Sequence, residues 1–305
     1  MTKFRPTEGG RQLKVEKIAV IGSGVMGQGI AYVAAVGGFQ VTLHDIKREA
    51  MDRALQNIQR DLEEGVRRGK LVQEEADAAF RRIQLSESLT DAAKEADLVI
   101  EAVLELMDLK VDIFRQLDEI CPPHTILATN TSTMSPTEIA AGTRRADRCV
   151  AMHFFNPVPK MKLVEIIRGM GTSDQTVEIV RAVAEQMGKE TVEVNEFPGF
   201  VPGRISALVG NEAMYMLMEG VASAEDIDKA IKLGLGYPMG PLELADLVGL
   251  DTRLRNLEYL HKTLGEKYRP CPLLIKYVKA GRLGKKSGRG IFEYDENGQK
   301  LPSRK

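Results

Sequence analysis

Residues 17–27 read KIAVIGSGVMG, an apolar run followed at once by glycines in the spacing G-x-G-x-x-G. In a loop of this kind Gly22 permits the tight turn, Gly24 lets the backbone approach a pyrophosphate, and Gly27 lets a helix pack closely on the strand. The helix that follows directs its free N–H groups and the positive end of its dipole at the phosphates. The stretch therefore predicts a dinucleotide site. Its expected cofactor-binding residues are Gly22, Gly24, Val25, Met26 and Gly27.

A second element of this site follows at the end of the next apolar run, residues 40–46 (QVTLHDI). We expect Asp45 to accept hydrogen bonds from the adenosine ribose hydroxyls and to repel a 2′-phosphate. The neighbouring Lys47 and Arg48 soften that discrimination. The alternative is an ordinary turn with a solvated aspartate. The pattern favours NAD over NADP as the cofactor.

Short apolar runs alternate with helix-length segments through the first two thirds of the chain, and such runs are typical of strands buried on both faces. The predicted strands are residues 17–22, 40–46, 97–103, 125–132, 149–155, 163–168 and 191–195. The predicted helices between them are residues 25–36, 47–70, 106–120 and 174–187. Repeated strand–helix–strand units indicate an α/β fold, a Rossmann-like doubly wound and mostly parallel sheet.

The pattern changes after EFPGF at residues 196–200, beyond which helical periodicity dominates. We place the boundary at Pro198-Gly199, which gives an N-terminal extension (1–14), a Rossmann-like domain (15–199) and a smaller all-helical domain (200–305). Predicted helices in the last domain are one that ends near Gly220 and four over residues 223–233, 241–248, 252–264 and 272–280. The methionines of the first helix suit either a core or a subunit interface. They are Met214, Met216 and Met218.

Composition excludes several classes of protein. The 305 residues suit about two domains. The 42 basic and 43 acidic side chains give a net charge of −1, which offers no overall attraction for nucleic acid. Cys121, Cys149 and Cys271 lie far apart, which argues against a disulfide framework or a metal site and suggests a reducing compartment. With no long apolar run and no secretory signal pattern, we expect a cytoplasmic protein without a membrane segment.

Polar residues that suit hydride-transfer chemistry follow the later strands. Oxidation of an alcohol by a nicotinamide needs a base, and histidine is the side-chain type whose ordinary pKa lies nearest to neutral pH, which makes His153 the candidate. Glu165 is a candidate to orient the imidazole and to stabilise its cation, and Ser132 to hold the reacting oxygen. Each residue has a structural alternative. His153 suits a packed core position beside two phenylalanines, Ser132 a helix cap before Pro136, and Glu165 a solvent-facing strand position.

With these residues in view, the chain resembles the short-chain L-3-hydroxyacyl-CoA dehydrogenases, a family that includes 3-hydroxybutyryl-CoA dehydrogenase. The similarity runs from about residue 15 to residue 294. Matching stretches occur in order: IGSGVMGQGIA, Asp45, EAVLE at 101–105, ATNTSTMS, MHFFNPVP, KLVEII, PGF, GYPMGPLELADLVGLD and GRLGKKSGRGIFEY. The resemblance implies NAD-dependent interconversion of an L-3-hydroxyacyl-CoA and a 3-ketoacyl-CoA, and a homodimer formed through the helical domain.

The resemblance also assigns expected roles. It makes His153 the general base, Glu165 its partner, and Ser132 the contact to the 3-oxygen and the nicotinamide side. Further cofactor positions follow from the matched motifs. They are Glu105 and Lys110 near the nicotinamide ribose, Asn156 on the nicotinamide side, and Lys286 from the C-terminal segment.

One position departs from the family pattern. Members usually carry an asparagine beside the substrate after the PGF motif, whereas this chain reads PGFVPGR and places Gly203 there. Glycine has no side chain to donate, and Asn211, two turns farther along, is not expected to replace it. We therefore expect reduced activity. A cofactor-binding protein with little turnover, like the lens crystallins related to this family, is the alternative.

The acyl-CoA phosphates require positive charge. Residues 47–70 carry seven basic side chains against five acidic ones, and residues 276–289 carry six basic side chains and none that is acidic. By the family pattern, the helix after the second strand helps to bind the adenosine-phosphate end, which makes Arg53 and its neighbours candidates. A solvated charged face is the alternative for any single residue.

Overall fold

The computed structural model describes residues 14–302, so the predicted N-terminal extension lies outside the described residues except for Lys14. The chain divides into two compact units, Met1–Glu196 and Phe197–Lys305. Each unit has a hydrophobic core of its own.

The first unit contains one eight-stranded sheet with helices on both faces. Its strands are β1 Lys17–Ile21, β2 Gln40–His44, β3 Ile83–Ser86, β4 Leu98–Glu101, β5 Ile126–Thr129, β6 Cys149–Phe154, β7 Leu163–Arg168 and β8 Glu190–Asn195. Its helices are α1 Val25–Val36, α2 Arg48–Arg67, α3 Gln73–Arg81, α4 Leu89–Ala93, α5 Met107–Ile120, α6 Pro136–Ala140 and α7 Asp174–Gln186. The strand order is β3-β2-β1-β4-β5-β6-β7-β8, and among these pairs only β6 and β7 run antiparallel. The predicted doubly wound, mostly parallel fold is confirmed.

Two strands differ from the prediction at the edges of the sheet. The four-residue β3 was not predicted, because its residues are only partly buried and it lacks a continuous apolar run. β8 was expected to be buried on both faces, and this was wrong. As an edge strand it pairs only with β7 among the described residues, and Val192 is 42% exposed. Charged side chains at such an edge discourage pairing with another chain.

The glycine loop packs as its spacing predicts. Gly22 has φ 101°, a conformation that glycine adopts without steric cost, and its N–H donates to the His44 carbonyl oxygen at 2.8 Å. A Cβ built at Gly27 would lie 1.7 Å from the Gly22 carbonyl oxygen, so α1 approaches the loop more closely than any side chain permits. Gly24 is different, because a Cβ there meets nothing within 4 Å.

The second unit is helical. Its helices are α8 Pro202–Met218, α9 Ala224–Leu235, α10 Pro241–Val248, α11 Leu250–Leu264 and α12 Pro272–Lys279. Ser223 caps α9 by accepting a hydrogen bond from the Asp226 N–H. Of the methionines of α8, Met214 is buried in the core, as one of the two expectations has it, and Met218 is 42% exposed. None of the described helices is long and apolar enough to cross a membrane.

The close approach at Gly27 predicts a large effect of a single methyl group. Gly27→Ala would force backbone against backbone, and we expect the free energy of unfolding to fall by at least about 2 kcal/mol. Thermal or urea unfolding of the protein without cofactor measures this loss. Gly24→Ala is the matched control, because the site is open and its φ of −64° suits alanine. Equal stabilities of the two variants would contradict the packing argument.

Candidate active site

The predicted cofactor loop and Asp45 are brought together by hydrogen bonds. Asp45 Oδ2 accepts from both the N–H and the hydroxyl of Ser23 at 2.9 Å, and Oδ1 accepts from the Lys47 N–H at 3.2 Å. Partial burial alone would raise the pKa of Asp45, but these hydrogen bonds outweigh it and lower the pKa, so the carboxylate is charged at neutral pH. Gly24 and the 62%-exposed Val25 stand at the open N-terminus of α1. Open backbone N–H groups beside a fixed carboxylate fit a dinucleotide.

A buried ion pair lies at the end of the central strand β4. Glu101 Oε1 accepts from Lys110 Nζ at 2.7 Å and from the Val103 N–H at 2.8 Å, and Oε2 accepts from the Thr129 hydroxyl at 2.7 Å. Lys110 Nζ also lies 3.3 Å from Glu105 Oε2. Glu101 and Lys110 are fully buried, whereas the Glu105 side chain is 36% exposed. Two predicted site residues thus depend on Glu101, to which the sequence analysis gave no role. Its signal was a carboxylate ending an otherwise apolar run.

Ser132 lies against Glu105. Its N–H donates to Glu105 Oε1 at 3.0 Å, and its hydroxyl lies 3.5 Å from that oxygen. The Thr131 hydroxyl donates to Glu105 as well. The alternative of Ser132 as a helix cap is wrong, because Ser135 caps α6 by accepting from the Glu138 N–H. The ends of β4 and β5 therefore share one polar cluster.

The antiparallel pair β6–β7 sets His153 directly opposite Glu165 in register. His153 Nδ1 lies 2.8 Å from Glu165 Oε2, with the His153 side chain 12% exposed and Glu165 fully buried. The alternative of a solvent-facing Glu165 is therefore wrong. The His153 ring also packs on Phe155, with ring centroids 4.4 Å apart. A buried carboxylate against one ring nitrogen is the arrangement that orients a catalytic imidazole.

Asn156 and Asn130 lie just beyond the ends of β6 and β5. Asn156 follows β6 in the loop to β7 and forms a cis peptide bond with Pro157. Asn130, just after β5, accepts the Phe154 N–H at 2.9 Å. The ends of β5 and β6 are thereby linked by a side chain as well as by the sheet.

Three positions of the helical unit bear on the prediction. Lys286 lies in a 3₁₀ turn, where Nζ pairs with Asp251 at 2.6 Å. Gly203 is exposed near the start of α8, and a Cβ built there meets nothing within 4 Å. Asn211 is buried, and its side chain forms two hydrogen bonds to the backbone. It donates to the Arg269 carbonyl oxygen and accepts from the Cys271 N–H, both at 2.9 Å. Asn211 is therefore committed to packing within its own unit.

The basic segments are partly neutralised by local acids. In α2, Arg48 pairs with Asp52, and Arg67 and Arg68 with Glu64. All of these arginines are more than half exposed, so their pairs are solvated. Among residues 14–302, no group of three or more His, Cys, Asp or Glu side chains is arranged to hold a metal ion.

The sheet is mostly parallel, with a glycine-rich loop before α1 and a charged aspartate after β2. It also carries a His–Glu pair at the strand ends. Together these features define a nicotinamide-dependent dehydrogenase. Residues 17–197 match the NAD binding domain of 3-hydroxyacyl-CoA dehydrogenase, and residues 199–294 match its C-terminal domain. The chain belongs to the 3-hydroxyacyl-CoA dehydrogenase family, and its cofactor is NAD.

Three relatives are similar to this chain over nearly their whole length. A probable 3-hydroxybutyryl-CoA dehydrogenase of Bacillus subtilis is 53% identical, with 93% of this chain and 99% of that protein covered. The 3-hydroxybutyryl-CoA dehydrogenase of Bradyrhizobium diazoefficiens is 45% identical, with 92% and 96% covered. The crystal structure of (S)-3-hydroxybutyryl-CoA dehydrogenase PaaH1 from Ralstonia eutropha matches with a TM-score of 0.89 at 44% identity, and the match covers 93% of this chain and all of that one.

The open space at Gly24 predicts a cofactor effect without a folding effect. Gly24→Ala leaves the packing intact but places a methyl group where the backbone must approach a pyrophosphate, so we expect NADH affinity to fall about tenfold or more. Fluorescence titration with NADH measures the affinity. Gly210→Ala in α8, where a Cβ also meets nothing, is the control. Unchanged NADH binding by Gly24→Ala would exclude this loop as the pyrophosphate site.

Proposed function

We propose that this protein is an NAD-dependent dehydrogenase that interconverts a short-chain L-3-hydroxyacyl-CoA, such as 3-hydroxybutyryl-CoA, and the corresponding 3-ketoacyl-CoA. The observation that carries the proposal is the buried pair of His153 and Glu165 at the end of an NAD-binding sheet. The names of the relatives supply the substrate class, since they are described as 3-hydroxybutyryl-CoA dehydrogenases.

In the proposed reaction His153 is the general base. The carboxylate of Glu165 accepts a hydrogen bond from the Nδ1–H group, which selects the tautomer whose Nε2 takes the proton of the substrate hydroxyl. Because Glu165 is fully buried and the imidazole nearly so, the carboxylate also stabilises the imidazolium that forms. The glycine loop and Asp45 would hold NAD, which would supply the acceptor for the hydride of the carbinol carbon. The reverse reaction returns the proton from His153 to the carbonyl oxygen.

The other predicted residues hold the reactants. Ser132 is proposed to bind the 3-oxygen, and its orientation is set by Glu105. Glu105 and Lys110 are proposed to bind the nicotinamide ribose, with the charge of Lys110 balanced by Glu101. Asn156 and Lys286 are proposed as further cofactor contacts, and the exposed arginines of α2 as contacts for the CoA phosphates.

In this proposal the two units have different roles. Residues 15–199 form the NAD-binding domain, and residues 200–305 form a substrate and dimerisation domain of a cytoplasmic homodimer. Exposed apolar side chains of the helical unit support a subunit contact, because large exposed apolar patches mark interfaces. They include Val201, Ile205, Leu233, Leu235, Tyr237 and Leu247.

The direct test is acetoacetyl-CoA-dependent oxidation of NADH, followed by absorbance. We expect robust turnover by the wild type, a fall in kcat of about 10²-fold or more in His153→Gln, and about tenfold or more in Glu165→Gln, with NADH affinity retained. His124→Gln is the control, because His124 also faces a carboxylate, Asp97 at 3.2 Å, but at the surface. Tight NADH binding without turnover by the wild type would instead select the cofactor-binding alternative.

Gly203 predicts that activity can be gained. Gly203→Asn restores the side chain that the family usually carries, and the position has room for it. We expect kcat/KM to rise about tenfold or more, since one well-placed polar contact in the transition state is worth about 10²–10³ in rate. Gly203→Ala is the control, because it raises helix propensity at least as much as asparagine does but adds no amide. An unchanged or lower kcat/KM in Gly203→Asn would defeat the idea.

A further inference from the structure

The loop between β6 and β7 connects the proposed base to its partner. Residues 155–162 leave β6 just after His153 and enter β7 just before Glu165. The loop also carries Asn156. The loop therefore joins the two strands whose pairing sets the imidazole opposite the carboxylate.

A buried lysine from a different part of the chain holds this loop. Lys189, between α7 and β8, is 7% exposed, and its Nζ donates to the Val158 carbonyl oxygen at 2.6 Å and the Met161 carbonyl oxygen at 2.9 Å. No carboxylate among the described residues forms an ion pair with it, and burial lowers the pKa of its ammonium. An ammonium that is buried without a counter-charge is costly, so its hydrogen bonds must compensate.

The same loop is held from the cofactor side. Val158 is 1% exposed, and a Cβ built at Gly29 of α1 would lie 2.8 Å from its Cβ, so this loop packs on the helix that begins at the cofactor loop. Within the loop, the N–H groups of Lys160 and Met161 both donate to the Pro157 carbonyl oxygen. That internal turn leaves the carbonyl oxygens of Val158 and Met161 for Lys189. Lys189 thus holds the loop through its backbone, whereas the α1 contact is made by the Val158 side chain.

We propose that Lys189 is a positioning residue of the active site, whose ammonium clamps the 155–162 loop and so sets the geometry of the His153–Glu165 pair. The assignment rests on the proposed function for its kinetic readout. Lys189 acts through the loop and touches neither substrate nor cofactor in this role. Loss of the clamp should lower kcat rather than cofactor affinity, because a displacement of about 1 Å in a catalytic group costs up to about 10²-fold in rate.

The test compares Lys189→Met with Lys162→Met. Methionine keeps the length of the buried chain and removes the donors, whereas Lys162 lies in the same loop, is 82% exposed and faces only Glu190 at 4.0 Å. For Lys189→Met we expect kcat with acetoacetyl-CoA to fall about tenfold or more, and the dissociation constant of NADH to stay within about twofold of the wild type. Lys162→Met should match the wild type in both. Should Lys189→Met not fold, Lys189→Gln, which retains an N–H donor on a shorter chain, takes its place.

A second readout does not depend on turnover. The ¹⁵N chemical shifts of the His153 ring, assigned with His153→Gln, report which nitrogen carries the proton, and we expect them to change in the Lys189 variant but not in Lys162→Met. Wild-type kcat and unchanged ring shifts in a folded Lys189 variant would overturn the proposal, even with a lower melting temperature. Failure of both Lys189 variants to fold would also overturn it, by making Lys189 a core residue. A wild type without turnover would refute the proposed function, and the ring shifts would still decide the role of Lys189.

Discussion

The contact between Gly27 and the carbonyl oxygen of Gly22 is the constraint on which the rest of the first unit depends. Because a Cβ at Gly27 would lie 1.7 Å from that oxygen, the first turn of α1 can approach Gly22 only where it has no side chain. Gly22 is similarly placed, since a Cβ there would lie 2.7 Å from the Ala102 carbonyl oxygen after β4. These approaches bring the ends of β1, β2 and β4 to one place, which is why Asp45 reaches Ser23 while Glu101 and Lys110 lie buried close by.

The antiparallel direction of β7 brings Glu165 opposite His153. In a purely parallel sheet the residues at neighbouring strand ends come from separate crossovers, but β6 and β7 are joined by a short loop and run antiparallel. Residues in register on such a pair lie close enough for side-chain contact, and His153 and Glu165 occupy opposite positions. Burial then strengthens their interaction, because few water dipoles compete for either group. The proposed base and its proposed orienting carboxylate therefore belong to one β-hairpin.

The sequence predicted features that depend on neighbours along the chain. The glycine spacing and the limits of α1 and β7 are local patterns, and each matches the structure. The run at residues 40–46 forms a strand as well, but β2 ends at His44. Features that depend on distant contacts were not predicted. The buried position of Glu101 results from pairing with Lys110 and Thr129, β3 gains its stability from β2, and Lys189 contacts a loop some thirty residues away. Short polar stretches carry no periodicity that would reveal such contacts.

Gly203 and Asn211 lie on the same helix, but only Asn211 is needed for the packing of the helical unit. Asn211 satisfies two backbone groups of residues 269–271, so the packing of the helical unit requires it. Gly203 is exposed, and a Cβ built there meets nothing within 4 Å. Its φ is not positive, so the backbone does not require glycine at this position, and glycine lowers the stability of the helix. A residue that the fold neither needs nor benefits from is free to change with activity. We therefore propose that the departure from the family at this position changes catalytic power and leaves the scaffold intact, while His153, Glu165 and the glycine loop keep their proposed roles.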